Sequence, residues 1–183
     1  MNLLNSILIF LAALLAVYLE CTFDGIRRVL GAQIDLLPAL IVYASLRSNP
    51  VTMAVLAVAG GMSFDSLSAN PLGVSIMPLF LVGFAVYLRR GLILQQEFYA
   101  QFVIGATASA AVPVLTLLML LSGRQGPILG WGTLWQWVVM SIGGGLATPI
   151  LIWIFDRLNT ALTYRPATQT SFRADREIAR GRK

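Results

Sequence analysis

The stretch FYAQFVIGATASAAVPVLTLLMLLSG, Phe98 to Gly123, is followed by Arg124 alone and then by QGPILGWGTLWQWVVMSIGGGLATPILIWIF, Gln125 to Phe155. One arginine is the only charge in this whole span. A helix rises about 1.5 Å per residue, and about 20 mostly apolar residues cross the hydrocarbon of a bilayer. The stretch therefore predicts two antiparallel membrane helices joined by a turn at Arg124. Upstream, Met1–Leu19, Ser48–Phe64 and Ser66–Leu88 are also free of Asp, Glu, Lys and Arg, each long enough for one crossing. Leu36–Leu46 is the exception, because an 11-residue run rises only about 16 Å. It spans if extended back to about Gly31, or it is a shortened or re-entrant segment.

Composition agrees with this reading. Apolar residues make up 57% of the 183-residue chain and charged residues 11%, against about 25% charged in a soluble domain. Eight acids and thirteen bases are too few to cover such an apolar interior with a water-facing surface. A soluble globule, a disordered chain and a disulfide-stapled module are excluded. The expected fold is an all-α integral membrane protein, a bundle of about six transmembrane helices with a short second one. Met1–Leu19 lacks the basic start and the small-residue cleavage site of a secretory signal, so it is read as a retained first helix.

Charge placement predicts orientation. With six helices and a cytoplasmic N-terminus, ten bases fall inside: Arg47, Arg89, Arg90 and the seven from Arg157 to Lys183. Three, Arg27, Arg28 and Arg124, fall outside. That split follows the positive-inside bias and places both termini in the cytoplasm. Trp131, Trp135 and Trp137 at the start of the last helix and Trp153 near its end read as interfacial anchors. Residues 1–155 form the predicted transmembrane domain, and 156–183 a polar tail carrying seven bases and three acids. The tail suits contact with anionic lipid or protein better than nucleic acid, since its bases are dispersed and few aromatics accompany them.

Small residues four apart recur: Ala12 and Ala16, Ala57 and Gly61, Gly105 and Ser109, Gly143 and Ala147. Such rows let helix backbones approach closely in lipid. Packing inside the bundle is the plainer reading, and a groove for another protein's transmembrane helix is the alternative. Gly143, Gly144, Gly145 and then Pro149 predict a loosened last helix.

Asp65 stands between long uncharged runs. A cap, a partner-binding acid and a proton-linked group are the readings, and the turn chemistry of Ser66, Ser68, Asn70, Pro71 and Gly73 favours the cap. Catalysis lacks equipment. There is no histidine, the single lysine is Lys183 and the single cysteine is Cys21. Asp24, Asp35, Asp65 and Asp156 are the acids available for an intramembrane aspartyl pair, and no paired motif surrounds them. No phosphate-binding loop or nucleophile elbow occurs. No metal or cofactor is expected.

The segment Asp35-Leu36-Leu37-Pro38, then Gly60-Gly61-Met62-Ser63-Phe64-Asp65-Ser66-Leu67-Ser68-Ala69-Asn70-Pro71-Leu72-Gly73, then a helix ending in Arg89-Arg90, resembles the bacterial rod shape-determining protein MreD family. That pattern is a glycine-containing helix, an acid and a Pro-Leu-Gly turn, here Gly61, Asp65, Pro71, Leu72 and Gly73. The resemblance implies a non-enzymatic scaffold of the cell-wall elongation complex in the inner membrane, partnered by the MreC transmembrane helix, MreB, RodA and a penicillin-binding transpeptidase. It also implies a fold similar to the substrate-binding subunits of energy-coupling-factor vitamin transporters. That similarity supplies the alternative function, a small-molecule-binding transporter subunit with a pocket near Gln33, Asp65 and Asn70; Ala12 and Ala16 then resemble an Ala-x-x-x-Ala contact for a coupling protein. Homo-oligomers stay open, and nothing is carried over to the basic tail.

Overall fold

The structure, a computed structural model, describes residues 3–22, 25, 28, 31–68, 71–91, 97–122 and 130–163. Asp24, Arg27, Asn70, Arg124 and the tail from residue 164 onward lie outside the described residues. Among the described residues there are six helices and no strand: α1 (Leu3–Thr22), α2 (Leu37–Arg47), α3 (Pro50–Leu67), α4 (Ile76–Arg89), α5 (Phe98–Ser122) and α6 (Trp131–Thr163). Three of them, α3, α5 and α6, are long and apolar enough to cross a membrane.

The short helix is the centre of the molecule. Leu37 to Leu46 are all buried, and α2 touches each of the other five helices. Its sequence is apolar on every side, which is the pattern of a helix enclosed by others rather than one with a lipid face. Tyr43 stacks on Phe155 of α6 with ring centroids 4.7 Å apart, and the Ser45 hydroxyl donates back to Ile41 O at 2.7 Å. Its end is set by Ser48-Asn49-Pro50. Ser48 is extended and its N–H closes on Ala44 O, and Pro50 opens α3 where no N–H is needed. Because α2 is walled by protein, its length is released from the bilayer-crossing requirement.

Two close backbone approaches shape the rest. α5 and α6 form the most extensive pairing. A methyl group at Gly105 would meet Thr148 and the Gly144 carbonyl, and one at Gly144 would meet Ser109. Gly144 and Thr148 of α6 thus face α5, as do Gly145 and Ser141. Gly143 instead faces the Ile34 side chain, and Ala147 is only half-buried. Spacing alone does not say which of three consecutive glycines point toward α5, and the helix turns Gly144 and Gly145 there, the latter against Phe102 and Ala106. At the second approach, a Cβ on Gly61 would lie 3.1 Å from the Ile76 backbone, so α3 and α4 cross there. Ala57 is fully buried one turn earlier. On α1, Ala16 belongs to the core and Ala12 packs against it, so that row faces into the bundle.

The outward faces are apolar. Ile7, Leu11, Leu15 and Tyr18 of α1, Val51, Val55 and Met62 of α3, and Leu134, Val138, Ile142, Leu146 and Ile150 of α6 are all exposed. Contiguous apolar surface on this scale is foreign to water-soluble monomers. Trp131, Trp135 and Trp153 are exposed as well, whereas Trp137 is half-buried and turns into a cavity.

Candidate functional site

The helices alternate in direction, so one end of the bundle gathers Glu20, Asp35 and Asp65, and the other gathers Arg47, Arg89, Asp156 and Arg157. Two polar devices and one cavity occupy the acidic end.

The first device is built on Asp65, in the last turn of α3 and 1% exposed. It reaches over to the turn that opens α4. One carboxylate oxygen accepts from Gly73 N at 2.8 Å and Ser75 N at 3.1 Å, and the other accepts from Ser75 Oγ at 2.5 Å. The start of a helix offers free N–H groups and the positive end of its dipole, so a buried carboxylate is satisfied there. Gly73 sits at φ +92°, a conformation open to glycine and closed to branched residues. Gly61, Asp65 and Gly73 thus act together: one lets the helices cross, one ties the turn, one permits its shape. Pro71 O accepts from Val74 N at 3.3 Å inside the turn, and Leu72 projects outward, 71% exposed.

The second device joins residues far apart in the chain. Glu20 of α1 accepts from Leu36 N at 2.6 Å through Oε1, and Asp35 accepts from Leu37 N at 2.8 Å through Oδ1. Two carboxyls therefore share the N-terminus of α2. Gln33 donates from Nε2 to Glu20 O at 3.1 Å. Gln136 of α6 grips the Gln33 backbone twice, accepting its N–H at 3.2 Å and donating to its carbonyl at 2.9 Å. The set binds α1, α2 and α6 at one point. Glu20 and Gln136 were not singled out from the sequence. The available signal was Glu20 closing an uncharged run that begins at Met1, and Gln136 interrupting a tryptophan-rich one.

Between the two devices lies a cavity of about 210 Å³. Asp35, Ser75, Thr116 and Trp137 supply its polar lining, and Leu79, Val112, Leu117 and Met140 part of its apolar wall. Of the residues expected to line a pocket, Gln33 and Asp65 do not line this cavity, and Asn70 lies outside the described residues.

At the opposite end Arg47 and Asp156 pair at 2.9 Å, both partly exposed. Arg157 lies 5.6 Å from the Trp153 ring and Arg90 4.3 Å from that of Tyr87. Of the acids weighed for an aspartyl pair, Asp65 is engaged by the α4 turn, Asp35 by α2, Asp156 stands at the other end with Arg47, and Asp24 lies outside the described residues. Among the described residues no group of three or more His, Cys, Asp or Glu is placed to hold a metal ion. Comparison of the chain with protein-family models, with curated proteins and with solved structures finds no match.

Proposed function

We propose that this chain is a multi-pass protein of the bacterial inner membrane that works as a non-enzymatic scaffold of the cell-wall elongation complex, in the manner implied by its resemblance to the MreD family. One observation carries the reading. Of the residues of the resemblance, Asp65, Pro71 and Gly73 form a tied turn that presents Leu72 outward, and Gly61 lets α3 and α4 cross beside it. A turn built this rigidly is suited to presenting a surface to a partner helix. The apolar outer faces and the bias of Lys and Arg toward one set of segments support a lipid setting with both termini cytoplasmic. In this reading the partner is MreC's single transmembrane helix, and through it MreB, RodA and the transpeptidase.

The test is depletion in the native host together with affinity purification in mild detergent. Rods should become spheres, and MreC should co-purify. Rods that persist with normal wall insertion would remove the reading.

The alternative, a small-molecule-binding subunit of a vitamin transporter, draws on the cavity at the acidic end. Native mass spectrometry with candidate vitamins separates the two: a tight stoichiometric vitamin favours transport, and MreC without a vitamin favours the scaffold.

A further inference from the structure

We propose that the cavity at the acidic end is a binding site for a small primary amine carried on an apolar body about the size of a benzene ring.

The argument starts from which protons are already committed. The Ser75 hydroxyl donates to Asp65 at 2.5 Å, and the Thr116 hydroxyl donates to Val112 O within its own helix at 2.9 Å. Each oxygen keeps acceptor lone pairs and has no proton left to give. Asp35, 6% exposed, carries a carboxyl whose Oδ1 is held by Leu37 N at 2.8 Å. Three of the four polar side chains lining the cavity therefore offer acceptors. An anionic ligand would meet lone pairs on all three, whereas an ammonium group brings three donors and no acceptor.

Charge points the same way. Among the described residues the only salt bridge is Arg47 with Asp156, at the far end, so no described base pairs with Asp35. The α2 N-terminus contributes roughly half a positive charge beside the Asp35 carboxyl that lines the cavity. A cation in the cavity would compensate what remains. The fourth polar residue, Trp137, adds the ring type that attracts cations best.

Size and wall chemistry define the rest of the ligand. An apolar cavity of about 150 Å³ accepts benzene, so 210 Å³ holds a ring and a short chain. Leu79, Val112, Leu117 and Met140 provide the surface for that ring.

The probe is 2-phenylethylamine, titrated calorimetrically into the full chain in lipid nanodiscs, with empty nanodiscs subtracted. 2-Phenylethanol and 3-phenylpropanoate serve as neutral and anionic counterparts. The amine should bind one to one, the alcohol about tenfold more weakly, and the carboxylate not at all. Asp35→Asn should cost at least about tenfold. Because Asp35 also caps α2, Thr116→Val is the decisive variant: it keeps shape and helix, and should weaken the amine several-fold while leaving thermal unfolding unchanged. Leu117→Trp, which fills the cavity, should abolish binding. Equal affinity for amine and alcohol, or amine binding indifferent to Thr116→Val and Leu117→Trp, would overturn the site. Neither result touches MreC co-purification, so this proposal and the scaffold reading fail separately.

Discussion

Asp65 and Gly73 show what a single residue decides in this protein. Gly73→Val forces a β-branched residue into φ +92° and should cost about 1–3 kcal/mol. Gly73→Asn should cost less, because asparagine tolerates the left-handed region. Thermal unfolding in nanodiscs, scored by loss of helical circular dichroism, ranks the two. Asp65→Asn leaves the shape and removes the charge from three hydrogen bonds, one of them from Ser75 Oγ at 2.5 Å. Charge-assisted bonds contribute about 1.5–3 kcal/mol, so the unfolding temperature should fall clearly; an unchanged value would mean the turn stands without its tie. The turn was legible in the sequence because Pro71 and Gly73 carry local backbone constraints. The partner of Asp65 was not, since Ser75 lies ten residues on and nothing local selects it. The grip of Gln136 on Gln33 spans 103 positions and could not be read from either neighbourhood.

At the scale of elements, the pairing of α5 with α6 tests the close-approach argument. Gly105→Ala would place a methyl 2.8 Å from the Gly144 carbonyl as well as against Thr148, and backbone yields poorly. Gly143→Ala would meet only the Ile34 side chain, which can rotate away. Overpacking of the first kind costs about 1–3 kcal/mol, so Gly105→Ala should lower the unfolding temperature distinctly more than Gly143→Ala. Four-residue spacing revealed that small residues line these helices. Helical phase was hidden, because Gly143, Gly144 and Gly145 are chemically identical and only tertiary contact distinguishes them. Likewise the apolar run Leu36–Leu46 was visible as too short, while its central place follows from five neighbours no local pattern describes.

For the whole molecule, orientation is the prediction that reaches furthest. Cys21 is the only cysteine, it is exposed, and it follows Glu20 at the acidic end. In the proposed topology a membrane-impermeant maleimide should label it in intact spheroplasts; labelling only after lysis would invert the topology. At the opposite end, the Arg47–Asp156 pair is partly exposed and contributes at most about 1 kcal/mol. A double-mutant cycle should find a small coupling that shrinks with added salt.

The enclosure of α2 has a consequence for biosynthesis. An 11-residue segment offers the insertion machinery too little to recognise as a span, and it leaves the ribosome before most of its walls exist. It must wait beside its unfinished housing until the C-terminal hairpin arrives to close around it. A chain ending at Ser122 would leave that guest without its α6 wall and its Tyr43 without Phe155. Pulse-chase labelling should find such a fragment cleared rapidly by membrane proteases, while the full chain persists.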